Sequence, residues 1–128
     1  MVITKRTSME GFEPIFHTPN FKCAFITRSP QYAFGEIKEM KRHNDSDEVF
    51  VLLSGSAVLL TREEGSTEYT KTVLEYQTAY NVQQGTWHYL AVSEDALVFV
   101  AESGTMKKEN TESIPLELDS IYISSRYL

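Results

Sequence analysis

Two histidines and one glutamate are the side chains of this sequence with the clearest potential for chemistry. His43 and Glu48 lie in a polar stretch that leads into the apolar run of residues 49–53, and His88 follows Gly85 in a second stretch. Imidazole nitrogens and carboxylate oxygens bind Fe, Mn, Ni and Zn ions, and a set of three leaves coordination positions open for a substrate. The pattern indicates either a divalent metal site or two histidines that are only packed and hydrogen-bonded.

Short apolar runs, separated by turn residues, must position these side chains. The runs at residues 21–26, 49–53, 57–60 and 87–92 are rich in β-branched and aromatic residues, and Ser54-Gly55-Ser56 supplies a tight turn. Residues 32–40 also alternate enough to predict a strand. Turn signals recur about every eight to twelve residues, which indicates an all-β sandwich or barrel.

The spacing of the candidate residues resembles the two motifs of the cupins, which are small β-barrel proteins. The first motif has the form G-x5-H-x-H-x3/4-E-x6-G, and His43, Glu48 and Gly55 match its second histidine, its glutamate and its last glycine. The second has the form G-x5-P-x-G-x2-H-x3-N, and Gly85 and His88 match its central glycine and its histidine. The resemblance implies an all-β, cupin-type double-stranded β-helix, that is, a jelly-roll barrel.

Four positions depart from the cupin motifs. Lys41 stands in place of the first histidine, Gln77 in place of the first glycine of the second motif, Gln83 in place of its proline and Val92 in place of its asparagine. The fold is implied more strongly than a complete metal site, because a usual ligand position carries a lysine.

The resemblance also implies how the site is assembled. In the cupin arrangement Lys41 and His43 face the barrel interior, where Glu48 and His88 converge, so His43, Glu48 and His88 are the expected ligands of a divalent metal (Fe, Mn, Ni or Zn). Lys41 and Glu48 are the candidate catalytic residues. An ammonium about 4 Å from a divalent ion is repelled by roughly 8 kcal/mol at an effective dielectric of about 20.

Three arrangements of Lys41 avoid this repulsion. The side chain points towards solvent, or it is neutral and acts as a base or nucleophile, or it replaces the metal and pairs with Glu48. The first arrangement requires the least special environment, and it is the one we expect.

The composition limits the partners of the protein. The chain has 128 residues and a formal net charge of −6, whereas nucleic acids and anionic lipid surfaces bind clustered Lys and Arg. No apolar run has the length of a membrane span, and residues 1–6 lack the apolar core of a secretory signal. Cys23 is the single cysteine, so no internal disulfide forms. We expect a cytoplasmic protein with a small-molecule ligand.

A chain of this length fits one domain. We expect an N-terminal arm over residues 1–14, a barrel core over about 15–102 and a C-terminal extension over 103–128. Residues 121–128 alternate apolar and polar side chains, which predicts a strand that pairs either with the sheet of its own chain or with a second copy across a two-fold axis. A homodimer is therefore expected.

Two functions are compatible with these features. The first is a metal-assisted lyase, isomerase or oxygenase that acts on a small polar metabolite in the cavity; the segment 85–89 is similar to the corresponding segment of ureidoglycolate lyases. The second is a non-catalytic cupin that binds or senses a small molecule with an incomplete metal site, which Lys41, Gln83 and Val92 favour. Trp87 and Tyr89 are expected to serve in packing, and Tyr76 or Tyr80 to reach the cavity.

Overall fold

The computed structural model describes residues 1–66 and 68–116, which form ten β-strands and two short 3₁₀ helices, Pro30–Tyr32 and Lys108–Asn110. None of the helices in these two ranges has the length and apolar character needed to cross a membrane. The strands are β1 (Phe12–His17), β2 (Lys22–Ile26), β3 (Glu39–His43), β4 (Glu48–Ser54), β5 (Ala57–Arg62), β6 (Thr70–Val73), β7 (Ala79–Val82), β8 (Trp87–Val92), β9 (Leu97–Glu102) and β10 (Thr111–Pro115).

The strands form two five-stranded sheets. One sheet has the strand order β1-β2-β9-β4-β7 and the other the order β10-β3-β8-β5-β6, and neighbouring strands are antiparallel throughout. From β7 onwards each strand lies in the opposite sheet from the one before it, which is a feature of a jelly roll. The predicted all-β fold class is confirmed.

The main core lies between the two sheets. Because alternate residues of a strand point to the same face, β4, β8 and β9 each contribute a pair of apolar side chains to it. These pairs are buried, and they are Phe50 and Leu52, Leu90 and Val92, and Val98 and Val100. Burial of apolar surface contributes roughly 25 cal/mol per Å², so this layer supplies much of the driving force for bringing the sheets together.

A second apolar cluster is centred on β3, β5 and β8. Met40, Leu60, Trp87 and Tyr89 are buried in it, and residues such as Ile37 pack against it. Trp87 and Tyr89 therefore belong to the packed interior, in agreement with the packing role expected for them.

Residues 32–38 differ from the strand predicted over residues 32–40, of which only the last two residues are extended. Pro30 lies at the start of a 3₁₀ helix, and Gly35 has a φ of +79°, in the left-handed region, which interrupts an extended backbone. The sheet resumes at Glu39 with β3. The turn-forming residues Pro30 and Gly35 thus determine the backbone of this segment, and its weak alternation of apolar and polar residues does not.

The two ends of the sheet region extend beyond the expected limits of the core. β1 begins at Phe12, inside the segment expected to be an arm, and β10 lies inside the expected extension, where it pairs with β3 from Thr111 opposite His43 to Pro115 opposite Glu39. The strand predicted over residues 121–128 lies outside the described residues, so the homodimer stays a prediction, as does the cytoplasmic location.

The two glycines of the cupin-like motifs meet different constraints. Gly55, between β4 and β5, has a φ of +73°, and an added Cβ would lie 2.6 Å from the backbone nitrogen of Ala96. Gly85 has a similar φ of +81°, but its Cβ would meet nothing within 4 Å. Gly55 thus requires both the left-handed conformation and the absence of a side chain.

Replacement of each glycine by alanine separates these two effects. We expect Gly85→Ala to lower the free energy of unfolding by about 1 kcal/mol, because only the left-handed backbone is penalised. Gly55→Ala should lower it by about 2–4 kcal/mol, because the hairpin and the Asp95-Ala96 turn must also move apart. Urea unfolding measures both values, and equal losses would contradict the packing described.

Candidate metal centre

The three predicted ligands come from both sheets and meet at one end of the molecule. His43 ends β3, Glu48 begins β4 and His88 is the second residue of β8. Lys41, on β3, lies directly opposite His88 in the β3–β8 register. Glu48 and His88 are buried, and the His43 side chain is 15% exposed. The structure therefore brings together the three residues that the motif spacing selects.

The turn before His88 is tied to the loop before Glu48. The backbone N–H of Gly85 donates to the carbonyl of His43 at 2.8 Å. The Asp47 carboxylate accepts from the backbone N–H of Gln84 at 2.8 Å and from the Asn81 side chain at 3.1 Å. Asp47 thus serves as an anchor between the loop before Glu48 and the turn before His88. These bonds hold the two motifs at a defined separation.

The donor atoms converge closely enough for one ion. Nε2 of His43 lies 3.2 Å from Oε2 of Glu48, and Nε2 of His88 lies 3.2 Å from Oε1 of the same carboxylate. The three ligand atoms all lie within 4.8 Å of one another. Ligands about 2.1 Å from a single metal ion lie about 3.0–3.4 Å apart at tetrahedral or octahedral angles. The spacing of His43, Glu48 and His88 is therefore suitable for a divalent ion.

The hydrogen bonds of the imidazoles also favour a cation. Nδ1 of His88 lies 3.0 Å from the carbonyl oxygen of Thr86, which can only accept, so this nitrogen carries the proton. In the neutral ring Nε2 then presents a lone pair to the Glu48 oxygen, and two acceptors face each other unless a proton or a metal ion lies between them. Nδ1 of His43 lies 3.0 Å from the Thr111 hydroxyl, which can donate or accept, so this bond orients the ring in either tautomer.

Glu48 is the electrostatic centre of the cluster. Burial by itself raises the pKa of Glu48, but the hydrogen bonds and positive charges of His43 and His88 outweigh burial and hold the pKa below its usual range. Burial lowers the pKa of His43, and the hydrogen bond to Glu48 together with the Glu48 charge reverses this, so the net shift is upward. The carboxylate is thus ionised and requires positive charge beside it.

Glu102 is a site residue that the sequence did not reveal. It ends β9 directly opposite Glu48 in the β4–β9 register, so the two side chains share a face of the sheet. Its side chain is 6% exposed, its Oε1 lies 3.7 Å from Nζ of Lys22, and its Oε2 is buried without a hydrogen-bond partner in the described part of the chain. Burial and then the charge of Glu48 raise the pKa of Glu102 to about 7.

Lys41 pairs with a residue of its own strand rather than with Glu48. Its Nζ lies 3.7 Å from Oε1 of Glu39, and the side chain is 39% exposed, although it lines the same cavity as His43 and His88. Among the three arrangements considered, this is closest to the one in which the lysine points towards solvent. The positive charge of Lys41 still acts on the cluster, because it opposes the upward shift in the pKa of His43.

Tyr32 lines the cavity of the cluster, whereas Tyr76 and Tyr80 do not. Tyr32 lies in the first 3₁₀ helix and lines the cavity, and burial, followed by the Glu48 charge, raises its pKa above the usual value. The hydroxyl of Tyr80 instead accepts the N–H of Glu75, and that of Tyr76 donates to Gly55. The expectation that one of these two phenols reaches the cavity is not met, because both bond backbone groups near the β6–β7 connection.

The fold relates this chain to solved cupin structures. No family model and no curated protein matches its sequence. A cupin-2 domain containing protein from Shewanella frigidimarina NCIMB 400 matches with a TM-score of 0.51 and 15% identity, over 74% of this chain and 82% of that one. The capsular polysaccharide assembling protein CapF from Staphylococcus aureus matches with a TM-score of 0.61 and 15% identity, over 88% of this chain and 31% of CapF.

An iron-containing structure has the same fold. Fe(II)-HppE, solved with the alternative substrate (S)-1-HPP, matches with a TM-score of 0.52 and 11% identity, over 72% of this chain and 48% of that one. This chain spans about a third of the length of CapF and about half that of HppE. The chain therefore has the fold of a small cupin, with a cluster of histidine and glutamate side chains suited to a divalent metal.

The electrostatics of Glu102 predict a pH-dependent stability difference. A carboxyl group whose pKa is higher in the folded state keeps its proton while the unfolded chain releases one, so stability falls between pH about 4.5 and 7. We expect Glu102→Gln to raise the free energy of unfolding of metal-free protein at pH 8 by about 1–2 kcal/mol. This gain is smaller than the one that the raised pKa of Glu102 implies by itself, because Lys22 loses its partner and solvent reaches the cavity.

Thermal unfolding with a chelator at pH 4.5 and pH 8 measures this difference. Glu39→Gln is the matched control, because Glu39 also lies 3.7 Å from a lysine but its side chain is 52% exposed. The control should show no gain at pH 8. A Glu102→Gln protein that is no more stable than wild type at pH 8 would show that the ionised Glu102 carboxylate does not destabilise the folded protein.

Proposed function

We propose that this protein is a metal-dependent cupin enzyme that acts on a small polar metabolite. The observation that carries the proposal is the convergence of His43, Glu48 and His88 within 4.8 Å of one another on the wall of a cavity of about 930 Å³. Cavities of this size accommodate small molecules. A buried cluster with open space on one side is what a catalytic metal site requires.

In this proposal each ligand has a defined part. His43 and His88 bind the ion through Nε2, and Glu48 binds it through its carboxylate. Such a set suits Fe, Mn, Ni or Zn. The ion, when bound, would supply Lewis-acid polarisation of a substrate oxygen for a lyase or isomerase reaction, and a redox-active ion such as Fe would supply activation of dioxygen for an oxygenase.

The remaining groups act on the substrate directly. The Tyr32 phenol, whose raised pKa keeps it neutral near pH 7, is available to donate a hydrogen bond. Glu102 lines the cavity beside Glu48 and can accept or return a proton. Apolar walls such as Phe50 and Leu90 limit the access of water. Lys41 acts on the substrate when the substrate draws its ammonium group from Glu39.

The alternative function is a cupin that binds or senses a small molecule without turnover. The observation favouring it is that a lysine, engaged with Glu39 at the rim, occupies the position of the fourth cupin ligand. Both functions use the same cavity. Turnover of any metabolite by the metal-loaded protein, abolished by removal of the metal, distinguishes the enzyme from the binding module.

The first prediction of this proposal concerns metal content. Protein purified without an affinity tag and loaded with Zn²⁺ or Fe²⁺ should hold about one ion per chain. His43→Ala with His88→Ala should lower the affinity at least about 100-fold, because two of three ligands are lost. Elemental analysis and competition with a chelator measure both quantities.

His17→Ala provides the matched control for this experiment. His17 is the one histidine of the chain that does not belong to the cluster. Its Nε2 lies 2.8 Å from the backbone carbonyl oxygen of Gly104. Its replacement should leave the metal content unchanged. Equal metal content in wild type and in the His43, His88 double variant would disprove the metal centre.

The second prediction concerns Lys41. Lys41→His should raise metal affinity about tenfold or more, because it removes a positive charge and adds an imidazole two residues from His43 on the same strand face. Lys41→Met keeps the aliphatic stem and removes the charge, so it should raise affinity less and preserve ligand binding. A Lys41→Met protein that retains its metal but loses ligand binding or turnover would assign an active role to Lys41.

A further inference from the structure

The cavity above the metal cluster collects basic side chains from separate parts of the chain. Lys22 comes from β2, Lys41 from β3, Lys38 from the segment before β3, and Lys107 from the connection that follows β9. Lysines of separate segments repel one another when they are brought together. Their convergence on one cavity, in a chain with a net charge of −6, is therefore a feature that needs an explanation.

Two of the four lysines have carboxylate partners. Lys22 lies 3.7 Å from Glu102, and Lys41 lies 3.7 Å from Glu39. Lys38 and Lys107 are exposed, and neither forms an ion pair with any residue in the ranges 1–66 and 68–116. These two ammonium groups are available to a ligand.

The total charge of the cavity depends on the metal. The four lysines are matched in number by four lining glutamates, which are Glu36, Glu39, Glu48 and Glu102. A divalent ion on His43, Glu48 and His88 adds two positive charges, so the loaded cavity is positive although the whole protein is negative. A concave site of one sign concentrates molecules of the opposite sign.

The walls of the cavity add a second requirement. Apolar residues line it together with the charged ones, and they include Phe12, Ile26, Ile37, Phe50, Leu90 and Met106. A ligand that is only an inorganic anion would leave this surface in contact with water. The lining is complementary to a molecule with an anionic group at one end and a ring or hydrocarbon portion at the other.

We propose that the substrate is an organic anion, a carboxylate or a phosphate ester, that carries an apolar portion. Its apolar portion lies against the walls, and its charged group is attracted by Lys38 and Lys107 at the cavity mouth and by the metal centre below. The part of the attraction due to the ion rests on the proposed function; the part due to the two lysines does not.

Three aromatic probes of similar size test this inference. Benzoate and phenyl phosphate carry the anionic group, and benzamide is the neutral counterpart. Isothermal titration of Zn²⁺-loaded protein at 50 mM salt should give affinities for both anions at least about tenfold above that for benzamide, because only the anions gain the cavity charge. A preference between the two anions identifies which group the site is built for.

Lysine variants assign the effect to the cavity mouth. The double variant Lys38→Gln, Lys107→Gln should weaken anion binding about threefold to tenfold in both the zinc-loaded and the metal-free protein and leave benzamide binding unchanged. Lys5→Gln is the control, because Lys5 is exposed and does not line the cavity. It should leave all three affinities unchanged.

Zinc stoichiometry on the same samples separates the two proposals. Protein that binds no zinc contradicts the metal centre, while lysine-dependent anion binding by that protein would still support the inference about the mouth. Zinc-loaded protein that binds the anions no more tightly than benzamide, or whose anion affinities do not change in the double lysine variant, overturns the inference about the substrate alone.

Discussion

The buried carboxylate of Glu48 is the group on which the arrangement of this end of the molecule depends. An unpaired buried carboxylate destabilises a protein by several kcal/mol, so Glu48 requires positively charged or hydrogen-bonding partners close to it. Both partners come from the opposite sheet, His43 from β3 and His88 from β8. The two sheets must therefore meet at this point with a separation fixed to within the length of a hydrogen bond.

The same end of the molecule places a second carboxyl group beside Glu48. Glu102 lies across from Glu48 with one oxygen that has no hydrogen-bond partner within the described residues, and burial together with the Glu48 charge raises its pKa to about 7. A structural cluster selected only for stability would not place two carboxyl groups side by side. The arrangement is consistent with a site that gains stability when a cation binds.

Strand alternation and motif spacing made the ligand set predictable. Residues two apart on a strand share a face, so Lys41 and His43 had to point into the same space, and the match of His43, Glu48 and His88 to the cupin motifs placed them together. Glu102 and Tyr32 could not be found in this way. Glu102 joins the site through the register of β9 against β4, and Tyr32 through a 3₁₀ helix that follows Ser29. Neither has a characteristic distance in sequence from a ligand.

The sequence by itself determined the all-β class, the tight turn at Gly55 and the identity of the three residues that converge in the cluster, because these depend on local backbone preferences and on short, regular spacing. The tertiary structure alone decided where Lys41 points, since Glu39 and the solvent at the rim compete for its ammonium group. It also decided that residues 111–115 complete a sheet and that Lys38 and Lys107 reach the same cavity. Such features depend on contacts between residues that are far apart in sequence, and these contacts form only when the chain folds.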